Sequence, residues 1–353
     1  MLKTHTHLWP GVPLALGSAV LFGASAPLSK LLVGSIDPWL LAGILYLGAG
    51  AGLALVNWGR AAVGLPNAEA PLAGRDLPWL AAVVVFGGVL GPLFLMLGLS
   101  LTTASSASLL LNLEGLATMA IAWLVFRENV DRRLLLGAAA ILSGAVLLSW
   151  NGQGLSLDAG GLFVAAACLC WGIDNNLTRK LSSADPVQIA MIKGLVAGGT
   201  NLALALAFGA AWPSAGLVGA GTLVGFLGIG VSLVMFMLGL RHLGTARTGA
   251  YFSLAPFIGA VLAVVIFRDM VTLQLVLAGL LMALGLWLHL TERHEHEHSH
   301  DALEHDHVHV HDEHHQHTHD GPVSEPHSHW HRHQPLRHKH PHYPDLHHAH
   351  SHD

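Results

Sequence analysis

The chain has 353 residues, 52% of them hydrophobic and only 11% charged. A soluble domain usually carries roughly 25% charged residues, so the composition argues against a soluble globular enzyme and for a polytopic membrane protein. Residues 1–290 carry a net charge of +3 and residues 291–353 a net −8, so two different materials join near residue 291.

Residues 1–12 form a short N-terminal segment. Crossing a hydrocarbon layer of about 30 Å takes about 20 apolar residues in a helix. Segments of that length run over 13–33, 38–58, 78–98, 105–126 and 132–150, and then over 159–181, 186–208, 215–240, 245–267 and 271–290. The expected fold is therefore all-α, with ten transmembrane helices. The first segment is too long for a signal-peptide core and more follow it, so it reads as the first span. The third and fourth run almost together through Leu99–Ala104. Cys168 and Cys170 share one span two residues apart, face roughly 200° apart, and are not expected to bridge.

Lys and Arg set the orientation. With the N-terminus in the cytoplasm, eleven of these residues fall inside: Lys3, Arg60, Arg75, Arg127, Arg132, Arg133, Arg179, Lys180, Arg241, Arg247 and Arg293. Only Lys30 and Arg268 fall outside. Both termini are expected in the cytoplasm, in a bacterial inner membrane.

The two sets of five spans repeat. At an offset of 141, Phe126-Arg127-Glu128 meets Phe267-Arg268-Asp269, Leu113 meets Leu254, Ala122 meets Ala263 and Gly144 meets Gly285. Nearer the starts of the halves, Gly23 matches Gly172, and Asp37-Pro38 matches Asp185-Pro186. Five is odd, so the second half enters from the opposite side, giving an inverted repeat. The expected domains are 13–150 and 159–290, five helices each.

Through these residues the chain resembles the EamA-type repeats of the drug/metabolite transporter superfamily, over essentially all of 13–290. The resemblance implies a ten-span exporter of metabolites, amino acids or drugs, often driven by an ion gradient. The repeat's usual fourth-span proline is Pro256 in the second half. In the first half the aligned residue is Gly115, preceded by Glu114.

Ionisable side chains at membrane depth are costly and are functional candidates by default. Glu114 lies near the midplane, with Asn112 close by, and a carboxylate there can bind a cation or carry a proton. Asp174, Asn175 and Asn176 follow Trp171-Gly172 in the sixth span, and Lys193 lies at the same depth in the seventh. At 1.5 Å per residue the two charges sit about 10 Å deep on helices joined by a short loop, so an Asp174–Lys193 contact is expected. Glu114, Asn112, Trp171, Asp174, Asn175, Asn176 and Lys193 are the candidate solute or coupling-ion residues. Asn201, Thr178, Ser105, Ser106 and Ser108 are weaker signals.

Of 27 histidines, 23 lie between His294 and His352. The 291–353 tail is too polar to bury a core and is expected to be disordered. Its candidate metal ligands are His294, His296, His298 and His300, then His305, His307, His309 and His311. They continue with His314, His315, His317 and His319, and with His327, His329, His331 and His333. Neutral imidazole suits divalent Zn, Ni or Co.

No nucleotide-binding loop or catalytic signature occurs in the sequence, so neither an enzyme nor a required cofactor is indicated. The expected partners are a small-molecule solute, the lipid bilayer and divalent metal ions, without nucleic acid; a homodimer is left open. The main reading is a secondary transporter exporting a small solute, its metal-binding tail regulatory. The alternatives are a divalent metal exporter and a membrane-anchored metal buffer or sensor.

Overall fold

The computed structural model describes residues 11–63, 72, 74–126, 132–150, 158–178, 181, 185–243, 245–291, 295–300, 304–309, 327–332 and 336–341. Ten helical segments form the membrane part among these residues. Spans 1 to 5 are Gly11–Leu32, Pro38–Ala62, Gly74–Leu101, Ala104–Val125 and Arg132–Leu148. Spans 6 to 8 are Ala159–Thr178, Pro186–Ala207 and Ala215–Gly239. Span 9 comprises Thr245–Phe252 and Ala255–Phe267, and span 10 is Leu273–Leu290. Eight are long and apolar enough to cross a membrane. Of the other two, span 5 has 17 residues, and span 6 holds the Asp174-Asn175-Asn176 run that lowers its hydropathy.

Local chemistry starts the helices where the repeat places them. Asp37 accepts from the backbone N–H groups of Trp39 and Leu40, and Asp185 from that of Val187; a proline follows each cap. Such caps satisfy N–H groups that have no helical acceptor. The near-continuous stretch between spans 3 and 4 is cut at Thr102, and the Thr103 side chain caps span 4 by accepting from the Ser106 N–H.

The inversion is visible directly. Spans 2 and 7 hold equivalent places in the two halves, and along their crossing Gly43 faces Gly198 and Leu202 while Gly50 faces Gly194 and Leu195. As one chain advances the other retreats, so the helices are antiparallel. Spans 5 and 10 cross likewise, Gly137 meeting Gly285 and Gly144 meeting Ala278 and Met282. The remaining contacts obey the same pseudo-twofold: span 1 packs on span 8 as span 6 packs on span 3, and on span 9 as span 6 packs on span 4.

Two kinds of helix interruption matter for function. Val84–Leu90 in span 3 and Phe226–Val231 in span 8 are π-helical turns at equivalent repeat positions. Span 4 breaks at Leu111-Asn112 and span 9 at Ser253-Leu254. Pro256 accounts for the second break by lacking an N–H. At the first, the Asn112 side-chain amide donates to the Leu109 carbonyl at 2.8 Å and competes with the helix ladder. Finally, at the end bearing Lys30, Ala104–Leu110 packs against Ala255–Phe267. Leu113–Phe126 and Thr245–Phe252 have no packing of comparable extent on each other among the described residues, so spans 4 and 9 are parted toward the end bearing Arg60 and Arg133.

Of the tail, the structure describes four short segments. Strands β1 (Glu295–His300), β2 (Glu304–His309), β3 (His327–Arg332) and β4 (Leu336–Pro341) pair antiparallel, β1 with β4 and β2 with β3. His296, His298, His300, His305, His307, His309, His327, His329 and His331 fall on these strands. The alternation of histidine with other residues in these segments has the strand period of two. His294, His311, His314, His315, His317, His319 and His333 lie outside the described residues.

Candidate polar cleft between the halves

The π turn of span 3 organises the polar cluster. A π turn shifts the backbone ladder by one residue and leaves carbonyls short of donors. Side chains from three other spans meet that demand. The Gly87 carbonyl accepts from the Tyr46 hydroxyl at 2.9 Å and from the Trp171 indole N–H at 3.0 Å. Those of Gly88 and Val89 accept from the Asn201 amide at 3.3 Å each, and Asn201 in turn accepts from the Trp39 indole at 3.0 Å. Each such bond contributes about 1 kcal/mol, and an unmet buried carbonyl would cost more.

Lys193 donates to Asp174, the contact expected from their matched depths. The pair is enclosed, with side-chain exposures of 18% and 7%, and Thr178 adds a donor to Asp174 at 3.3 Å. It stands against Gly87, where a Cβ would collide with both side chains. The absence of a side chain at 87 is what admits the pair.

The other half of the cluster lies between spans 4 and 6. Asn175 donates to Glu114 Oε1 at 3.1 Å and contacts Thr118 at 3.2 Å; Thr118 donates back to the Glu114 carbonyl at 2.9 Å. Asn176 donates to the carbonyls of Thr118 at 3.0 Å and Gly172 at 2.8 Å, locking the two helices. Glu114 is half-buried and Asn175 exposed. Leu162 and Leu169 mark the outward face of span 6, and at 100° per residue Asn175 lies about 120–140° away from them. Its exposure is therefore to a cleft between spans 3 and 4.

Six of the seven candidate residues thus come together: Glu114, Trp171, Asp174, Asn175, Asn176 and Lys193. Asn112 does not. It sits at the break of span 4 and points toward Met282 of span 10, at 3.9 Å from its sulfur. Two positions from Glu114, it faces another side of the helix and serves the break itself. Sequence reading missed Tyr46, Thr118 and the Gly87 carbonyl. The repeat held one clue, since Gly87 and Gly228 match at the same offset of 141 as the Phe-Arg-Glu and Phe-Arg-Asp ends. Among the described residues no three His, Cys, Asp or Glu side chains converge on one point.

Inverted five-helix halves with broken helices and a polar cluster between them define a membrane transporter rather than an enzyme. The chain belongs to the EamA-like transporter family, whose pattern matches residues 9–150 and 158–291. An uncharacterized transporter of Methanothermobacter thermautotrophicus is 29% identical, over 80% of this chain and 86% of its own. The uncharacterized transporter YyaM of Bacillus subtilis is 22% identical, over 77% and 92%. A probable amino-acid metabolite efflux pump of Salmonella typhimurium is 32% identical over a shorter stretch, 25% of this chain and 30% of that one. A solved crystal structure covering 79% of this chain and 95% of its own shares the fold, with a TM-score of 0.58 at 20% identity.

Proposed function

We propose that this transporter exports a small metabolite or drug-like solute from the bacterial cytoplasm, using Glu114 as the coupling carboxylate. The observation that carries the reading is Glu114 itself: a half-buried carboxylate in the first turn after a mid-span break, hydrogen-bonded to the exposed Asn175 in the cleft. Such a group exchanges a proton or cation with whatever enters. Asn175 and Trp171 present a polar and an aromatic contact to the solute, and the Asp174–Lys193 pair closes the cleft behind them. The parted end of the halves is the one that Lys and Arg favour for the cytoplasm, which suits loading from inside. The partial relative named as an efflux pump supports the direction.

Within this reading the tail is cytoplasmic and binds Zn, Ni or Co through its histidines, tuning transport without belonging to the pathway; no cofactor takes part. A second reading, export of the collected metal itself, is favoured by the density of histidine alone. The decisive experiment compares metabolites and metals retained by cells with and without the protein, then follows efflux of the identified species from vesicles. Loss of gradient-driven efflux in Glu114→Gln supports the proposal. Transport by Glu114→Gln unchanged at every pH removes the coupling role, and a change in cellular metal alone favours the second reading.

A further inference from the structure

We propose that Asp269 and Ser105 form a latch that holds the transporter closed at the end bearing Lys30 and weights its resting state toward loading from the opposite end. This rests on the transporter reading above and gives a role to the Phe267-Arg268-Asp269 signature, which the polar cleft does not use.

The seam to be held is weak by itself. Ala104–Leu110 of span 4 packs against Ala255–Phe267 of span 9. Their buried residues are mostly small, Ala104, Ala107 and Ser108 on one side and Ala255, Gly259 and Ala260 on the other. A Cβ on Gly259 would stand 2.6 Å from the Gly23 oxygen and 2.9 Å from the Ser108 hydroxyl, so spans 1, 4 and 9 are in close contact there. Lipid supplies no hydrophobic drive to keep such helices together. Small residues let the seam close, and polar bonds across it add what packing alone lacks.

The latch crosses from one half to the other. Asp269 follows span 9, yet its Oδ2 accepts from the Ser105 hydroxyl at 2.7 Å and from the Ser105 backbone N–H at 3.3 Å. That N–H lies in the first turn of span 4, where no helical acceptor exists. Hydrogen bonds to a carboxylate are about twice as strong as neutral ones. The chain makes the reach because Arg268 ends span 9 in the left-handed conformation, at φ 54° and ψ 38°. A non-glycine residue keeps that geometry only where its surroundings impose it, and the bond made by its neighbour is such a constraint. Lys30 completes the corner. Its ammonium donates to the carbonyls of Leu99 and Thr102 at the end of span 3, the latter at 2.9 Å, and attracts the Asp269 carboxylate.

The repeat makes the latch one-sided. At the offset of 141, Ser105 corresponds to Ala246, which has no hydroxyl. The equivalent junction at the other end therefore lacks the donor of the shorter bond, and the two closures are unequal. The carrier rests closed at the end bearing Lys30.

The test is the sidedness of access to the cleft, which needs no knowledge of the solute. Asn175→Cys in a full-length Cys168→Ala/Cys170→Ala background is labelled with a membrane-impermeant methanethiosulfonate in intact cells and in inverted vesicles. With the latch intact, labelling is expected from the cytoplasmic side. Asp269→Ala should raise the rate from outside by about tenfold or more, and Ser105→Ala, which keeps the backbone N–H, by less. Thr272→Ala removes only the local cap on the Leu275 N–H and should leave the outside rate unchanged. Should Asp269→Ala fail to fold, Ser105→Ala decides, since it removes a single hydroxyl. An outside rate unchanged in both latch variants, or raised equally in Thr272→Ala, overturns the latch and leaves the transporter reading standing. A cleft that labels from neither side with the latch intact overturns both.

Discussion

Gly87 and Gly228 occupy the same place in the two halves, each within a π turn, and their surroundings differ sharply. Gly87 offers its carbonyl to Tyr46 and Trp171 and backs onto the Asp174–Lys193 pair. Gly228 packs on Ser25 and the Leu21 carbonyl of span 1. Ser25 is the repeat counterpart of Asp174, and Leu45 that of Lys193. The duplicated backbone thus fixes where helices break, and side-chain divergence puts the charge into one half. The symmetry supplies two openings and the asymmetry supplies the chemistry.

The contrast can be broken most sharply at the ion pair. Lys193→Met leaves Asp174 buried without its partner and should lower stability by about 3–5 kcal/mol, read as a large fall in the detergent unfolding temperature. The double variant Asp174→Asn/Lys193→Met should recover most of it. The counterpart change Leu45→Met should cost less than about 1.5 kcal/mol. Glu114→Gln keeps an acceptor for Asn175, so stability should hold while gradient-driven efflux falls by about 5–150-fold, the range of one coupling free energy. Gly194→Ala places a methyl 2.7 Å from the Gly50 Cα and should cost about 1–3 kcal/mol, whereas Gly199→Ala, facing open space, should not. Tyr46→Phe removes one of two donors to Gly87 and should cost about 1 kcal/mol, with thermal unfolding as the readout. Deleting residues 294–353 should leave unfolding and metal-free efflux unchanged while calorimetric Zn or Ni binding and any response of efflux to added metal disappear; metal-free efflux lost with the tail would make the tail part of the pathway.

Much of this architecture was legible because lipid imposes coarse rules. Apolar length marked the spans, and the paired Asp-Pro starts and Phe-Arg-acid ends marked the repeat. Matched depth on neighbouring helices was enough to pair Asp174 with Lys193. What escaped was finer than periodicity can show. A π turn is a one-residue shift within an unbroken apolar run, so apart from its match to Gly228 across the repeat nothing in the sequence set Gly87 apart, and with it Tyr46 went unnoticed. Asn112 read as a solute contact because polarity at depth signals function. Its amide is instead spent on the Leu109 carbonyl, forming in the first half the break that Pro256 forms in the second. The tail's strands follow an alternation of polar residues, whereas the usual strand signal is an apolar stripe.

The crossing of spans 2 and 7 has a mechanical consequence. Gly43, Gly50, Gly194 and Gly198 bring two main chains together along the seam, with only the Leu47 and Leu195 side chains reaching across beside them. Ridged helix pairs resist rotation because each tilt must lift side chains out of grooves, but a seam that is mostly backbone against backbone can swivel with less repacking. This seam lies on the pseudo-twofold axis, where a bearing is needed if one half is to tip against the other.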